Sequence, residues 1–331
     1  MMRSALFAFF DNPHRDFTRA LNEQVSLVRE AENRGLDEVW VSEHHFNDYS
    51  VSGPILPLMA YLSGVTQRIT VGSAAVLLPY HSPVMVAEAL AVMERLNPGR
   101  ILFGMAKGAF PLDDSHFRSD PVRNREALYE AALLIQRLLS EKNVTFEGNY
   151  FNLKQATVVP SPSGIIPGHI ATFGSEESVR FAAEHGFGLM MGQTATLEQL
   201  SAAVTLYKRC SGRTPELTLL RLCYIDEDGK RARAQALLSA HAFSERMLAV
   251  KAQNTPRSDA GFGTTRKTLF ASHPMASAAL AGTPQECLEQ LRGYQEAGVT
   301  SLAIRPGGSS LEENIAIINA FAEITSDKSV S

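Results

Sequence analysis

Cysteine is scarce in this chain: three residues in 331, at Cys210, Cys223 and Cys287, widely spaced and with no CxxC pair. An odd number at such spacings argues against a disulfide framework and against structural zinc, and fits a reducing cytoplasm. Long apolar runs are missing too. The opening MMRSALFAFF stops at Asp11-Asn12-Pro13, too short for the apolar part of a secretion signal, and is better explained as a buried first strand. No stretch approaches the roughly 18 apolar residues that a membrane helix needs. Neither sign of charge is in large excess. With 31 basic and 35 acidic residues, the chain lacks the basic surplus of a nucleic-acid binder. These absences predict a cytoplasmic protein with a small-molecule substrate, and neither nucleic acid nor membrane as partner.

What is present is a regular alternation of short β-rich runs and amphipathic helical segments. Apolar runs of four to eight residues are expected to be parallel strands, which are covered on both faces. They fall at Ala5–Phe10, Glu38–Val41, Ile69–Gly72, Ile101–Met105, His169–Phe173, Gly188–Met191, Leu217–Tyr224 and Ser301–Arg305. Helical patterns lie between them at Thr18–Asn33, Pro54–Gly64, Pro83–Leu96, Val122–Ser140, Ser175–His185, Leu197–Cys210, Lys230–Lys251 and Pro284–Glu296, with a last one near Glu312–Thr325. Thr283-Pro284-Gln285-Glu286 carries a helix start, with a cap, proline at the first helical position and an acid in the first turn. Eight β–α units without a break in composition predict an α/β chain folded as one (β/α)8 TIM barrel over residues 1–331, with a doubly wound open sheet as the alternative. Two segments interrupt the repeat. Asn143–Pro162 alternates with period two around Glu147-Gly148-Asn149 and predicts an inserted β-hairpin. Thr255–Gly282, rich in small residues, predicts a long lid loop after the seventh unit, or else a plain surface loop.

Barrel enzymes place their chemistry at the C-terminal ends of the strands. The second strand is followed by Ser42-Glu43-His44-His45-Phe46. Side chains alternate, so one histidine of the pair should face the mouth, where an imidazole can move protons near neutral pH. The alternative is that both satisfy buried groups, with Glu43 as partner. Metal-dependent hydrolases on this fold show a different histidine pattern, and His169 stands at the start of its strand, so no metal is expected. Gly174-Ser175 opens the helix after the fifth strand, where free N–H groups and the helix dipole favour an anion. Ser178 adds a hydroxyl, and Lys107-Gly108 at the end of the neighbouring fourth strand adds a cation. A phosphate held between these strand ends is the expected ligand group.

Four segments resemble one family. EVWVSEHHF (Glu38–Phe46), VGSAAVLLPYHSP (Val71–Pro83), LNPGRILFGMAKG (Leu96–Gly108) and GTPQECLEQLRGYQEAGVTSLAI (Gly282–Ile304) are similar, in the right order, to bacterial-luciferase-like flavin monooxygenases. The resemblance implies a two-component monooxygenase that uses reduced FMN and oxygen through a flavin C4a-hydroperoxide, with a separate flavin reductase as partner. It implies that His44 assists proton transfer beside the flavin and that a cis peptide at Ala74–Ala75 lies against the flavin ring. Lys107 stands where luciferase has a phosphate-binding arginine, and Gly174, Ser175 and Ser178 match the phosphate-binding turn. Phe9, Leu78, Tyr80, Phe110, Met190 and Met191 are candidate apolar walls. Lysine in place of arginine keeps the charge and loses the bidentate fork. Ala106 replaces a reactive cysteine, and Trp40 is the single tryptophan, so light emission and a long-chain aldehyde substrate are not implied. A deazaflavin-dependent hydride-transfer enzyme and a non-catalytic flavin-binding partner subunit are the alternatives. Relatives commonly form homodimers through the helices expected at Pro54–Gly64 and Pro83–Leu96.

Overall fold

Each β-rich run becomes a strand because it is apolar on both faces and needs cover on both. The computed structural model describes residues 2–108, 111–254 and 273–326. The barrel strands, first to eighth, are Arg3–Ala8, Glu38–Val41, Thr70–Ser73, Ile101–Ala106, Gly168–Thr172, Gly188–Met191, Leu217–Ile225 and Ser301–Pro306. Each pairs in parallel with the next. The eighth closes on the first from Arg3↔Ser301 to Leu6↔Ile304. The result is the closed (β/α)8 TIM barrel expected from the repeat, with helices packed outside it. Among the described residues, no helix is long and apolar enough to cross a membrane.

Differences from the sequence expectation are local. The first strand lies two residues earlier than expected, because Phe10 has a left-handed backbone (φ 59) that ends the pairing; Phe9 and Phe10 still pack in the core. The predicted hairpin is present as Val144–Glu147 against Asn152–Ala156. The Glu130 carboxylate of the helix Asn124–Ser140 caps its turn, accepting backbone N–H bonds from Asn149, Tyr150 and Phe151 at 2.7–2.8 Å. Residues 255–272 of the expected lid lie outside the described residues. Its last ten residues are not loop: Pro274–Ser277 form a helical turn, and Leu280–Gly282 add a strand beside the end of the seventh. The run of small residues, with no period to mark a helix or a strand, hid both. Thr283 forms a full capping box with Glu286 at the start of the helix Pro284–Glu296.

The third strand holds the feature that shapes the mouth. After Ser73 the chain passes through a cis Ala74–Ala75 peptide and pairs again with the fourth strand at Val76–Leu77. From Gly72 to Val76 is four residues, against three from Leu102 to Met105, so one residue is extra on the third strand. Ser73 locks the bulge: its hydroxyl donates to the Gly104 carbonyl at 2.8 Å and accepts from the Gly104 N–H at 2.9 Å. A Cβ on Gly104 would stand 2.1 Å from the Ser73 carbonyl oxygen, a backbone atom that cannot swing aside. Gly104→Ala is therefore expected to lower stability by about 1–3 kcal/mol through overpacking. Unchanged urea unfolding would show that the bulge is not held this tightly.

Candidate active site at the barrel mouth

The two histidines after the second strand do point to different surroundings. The His44 ring packs 5.0 Å (centroid to centroid) from Phe9 and 5.5 Å from Tyr49. The Tyr49 hydroxyl lies 3.2 Å from His44 Nδ1. Although an edge of the ring keeps some exposure, these aromatic walls desolvate it. Burial lowers its pKa to about 4, against a smaller opposing pull from Glu43, so the imidazole is neutral at pH 7.

His45 turns instead to Glu43, whose side chain is fully buried. Glu43 Oε1 accepts from His45 Nε2 at 2.7 Å and from His81 Nε2 at 2.6 Å, while Oε2 accepts the Leu77 N–H at 2.8 Å. Burial alone would raise the Glu43 carboxyl; the bonds from His45, His81 and Leu77 outweigh it and hold the group below its usual range. The expected pairing of Glu43 with a neighbouring histidine is thus met by His45 rather than by His44. Glu43, His45 and His81 are also residue types that ligate metals, with their ligating atoms within 4.8 Å of one another. Direct hydrogen bonds account for the cluster, since both Nε2 atoms are spent on the carboxylate. Tyr80 and Phe117 stack at 4.9 Å and cover His45 from the side.

A turn and a helix start are present at Gly174-Ser175. Gly174 has φ +88, and Ser175 stands at the start of the helix Glu176–His185 without a side-chain bond to the helix backbone. Thr172 Oγ1 accepts the Gly174 and Ser175 N–H groups at 3.0 and 3.2 Å, shaping the turn. The Ser175 hydroxyl donates to Ser178 Oγ at 2.8 Å, and the Tyr129 hydroxyl lies 2.9 Å from the same atom. Lys107 directly follows the fourth strand, which pairs with the fifth as far as Met105↔Ile170. Lys107 is exposed and forms no ion pair among the described residues. Arg125 comes to the same turn from the helix Asn124–Ser140, bonded to Glu177. Glu176 is paired with Arg180 at 2.9 Å. The two acids of the first turn are therefore each matched by an arginine, and the cation, the hydroxyls and the helix end fit a phosphate group.

Of the expected walls, Phe9, Leu78, Met190 and Met191 are buried and Tyr80 is partly exposed; Phe110 lies outside the described residues. Met190 approaches Gly104 and Met191 approaches Gly174, so the two methionines line opposite faces of the sixth strand. Ala75 is buried and Ala74 partly so, between the second and fourth strands. His169 is buried near the opposite end of the barrel, edge-on to Trp40, away from this site. Sequence reasoning missed Tyr49, Tyr129 and Arg125, and gave His81, in the run after the third strand, no role. Each reaches the site from a loop or helix, and no local pattern marks such a residue.

The sequence pattern of a family described as luciferase-like monooxygenase matches residues 2–301. Limonene 1,2-monooxygenase of Rhodococcus erythropolis is 30% identical over 186 residues, 55% of this chain and 48% of that protein, so the chain spans about half the length of this curated relative. F420-dependent glucose-6-phosphate dehydrogenase of Kineococcus radiotolerans is 29% identical over 295 residues, 84% of this chain and 85% of that protein. Among solved structures, monooxygenase RslO1 from Streptomyces bottropensis shares the fold with a TM-score of 0.84 at 21% identity, covering 97% of this chain and 98% of that one.

Proposed function

The chain belongs to the luciferase-like monooxygenase family of oxidoreductases, and from that premise we propose that it is a two-component monooxygenase using reduced FMN and oxygen on a small organic substrate. The observation that carries this reading is the neutral, aromatic-walled His44 at the same barrel mouth as a phosphate-fitting turn. Bound FMN supplies the oxygen chemistry. Lys107, Gly174, Ser175 and Ser178 would hold its phosphate. Ala74 and Ala75 support the flat ring, and Met190 and Phe9 keep water from it. His44 takes and returns a proton at its imidazole, oriented by the Tyr49 hydroxyl at Nδ1.

Reduced flavin comes from a separate reductase, and the protein works as a homodimer. The helices Ile55–Val65 and Pro83–Leu96 support the dimer by exposing Tyr61, Met85 and Leu96. A second reading, hydride transfer with the deazaflavin F420, is favoured by the relative of Kineococcus radiotolerans that matches over 84% of this chain.

Titration with reduced FMN, oxidised FMN and F420 separates the two. The expected result is saturable binding of reduced FMN, followed by oxygen-dependent product formation with a reductase present. Preference for F420, with turnover that continues without oxygen, would replace the monooxygenase reading.

A further inference from the structure

Beside the mouth lies a group of charges that the flavin reading does not use. A cavity of about 370 Å³ opens where the first and eighth strands end. Asp11 follows the first strand, Arg305 belongs to the eighth, and Arg246 lies late in the helix Gly229–Asn254. Asp11 bonds both arginines, Oδ2 to Arg305 at 2.9 Å and Oδ1 to Arg246 at 3.1 Å. The Arg305 side chain is only 3% exposed. Its guanidinium lies 4.7 Å from the ring centre of Phe243 and 5.6 Å from that of Phe9.

Among the described residues the charges do not balance. Two guanidinium groups face one carboxylate, and Glu23, the other acid on the wall, is bonded by Arg19 at 2.7 Å. Among the described residues, the buried Nε atoms of Arg246 and Arg305 have no hydrogen-bond partner. Buried cations short of acceptors are unfavourable until an anion approaches them. The rest of the wall is mixed, with Phe7, Leu27 and Leu238 on its apolar side and Gln235, Ser239 and Asn314 among its polar groups. The adjoining helix Leu311–Ser326 does not offer the seat, because the Gly308 and Ser309 N–H groups before it already bond Asn314 and Glu313.

We propose that this cavity binds the carboxylate of a small, largely apolar organic acid between Arg246 and Arg305, with its carbon chain along Phe7 and Phe9. One surplus positive charge matches a singly charged carboxylate better than a doubly charged phosphate, and Phe7, Phe9 and Leu27 give a carbon chain an apolar side to lie on. The volume lies near the lower end of the roughly 300–1,000 Å³ typical of small-molecule pockets. Phe9 lines the cavity and also packs against His44, which brings the chain of the acid toward the catalytic imidazole. The proposal rests on the oxidoreductase reading only in making the acid a substrate; the binding itself is independent of flavin.

Calorimetric titration of the flavin-free protein with hexanoate, its neutral isostere hexanamide, and inorganic phosphate tests it. Hexanoate is expected to bind at one site, at least tenfold more tightly than hexanamide or phosphate. Arg305→Met, which leaves Arg246 paired with Asp11, should weaken hexanoate about tenfold and leave hexanamide unchanged. Arg246→Gln should act in the same direction. Equal binding of hexanoate and hexanamide, tighter binding of phosphate, or no loss in either variant would overturn the assignment. Failure of flavin binding with hexanoate selectivity intact would sink only the monooxygenase reading.

Discussion

His44→Ala is expected to leave reduced-flavin affinity within about twofold and to lower product formation by roughly 10²-fold or more, the usual contribution of a positioned general acid–base group. The expectation follows from where the ring sits. Its contacts are Phe9 and Tyr49 on the apolar side of the mouth, whereas the phosphate-fitting groups stand at the fourth and fifth strands. Removing the ring deletes a proton carrier and leaves the phosphate turn intact. Stopped-flow turnover and flavin titration of the variant measure the two effects separately, and undiminished turnover would remove His44 from the chemistry.

The pH dependence gives a second readout on the same residue. Burial holds the folded pKa of His44 near 4, below the 6.5 of an unfolded histidine. The folded state therefore refuses a proton that the unfolded state accepts. Stability is full above pH 6.5 and falls as pH drops from there toward 4, where the loss is complete. Burial moves His169 in the same direction, also to about 4. His44→Ala should thus flatten the slope of unfolding free energy between pH 6.5 and 4 without abolishing it. Chemical denaturation at pH 7.5 and 5 checks the sign.

Glu43→Leu is expected to be the most destabilising single change at the mouth, at about 3–5 kcal/mol, because it removes one partner from a buried polar cluster. The carboxylate accepts three bonds, and its loss strands the Nε2–H groups of His45 and His81 and the Leu77 N–H together. Glu43→Gln keeps the shape but not the charge, and should cost less. The carboxyl is held below its usual range in the fold, so its contribution is present at neutral pH and disappears as pH falls through the folded pKa. Urea unfolding at pH 7 tests the ranking. If Glu43→Leu unfolds at the same urea concentration as the parent, the cluster does not hold the mouth together.

The barrel was legible because its signals are local. Most strands are short apolar runs, and most helices carry a 3.6-residue stripe; Thr283 and Glu286 spell out a cap within four residues. The inserted hairpin was legible from period-two alternation, and the turn before the helix Glu176–His185 from Gly174-Ser175. Leu280–Gly282 escaped notice because three small or apolar residues in a run of similar composition carry no period. The His44–His45 pair was conspicuous in sequence, but its partners were not.

By itself, the sequence determined the element order, the parallel barrel and the strand ends from which the candidate site is built. Only the tertiary structure decided which side chains meet there. Glu43 binds Leu77 and His81 across 34 and 38 residues, and Asp11 reaches Arg305 across 294. Such contacts exist only once adjacent strands fix their register and the eighth closes on the first. Periodicity along the chain records which face of a residue is buried. It holds no record of what lies on the other side of the barrel mouth.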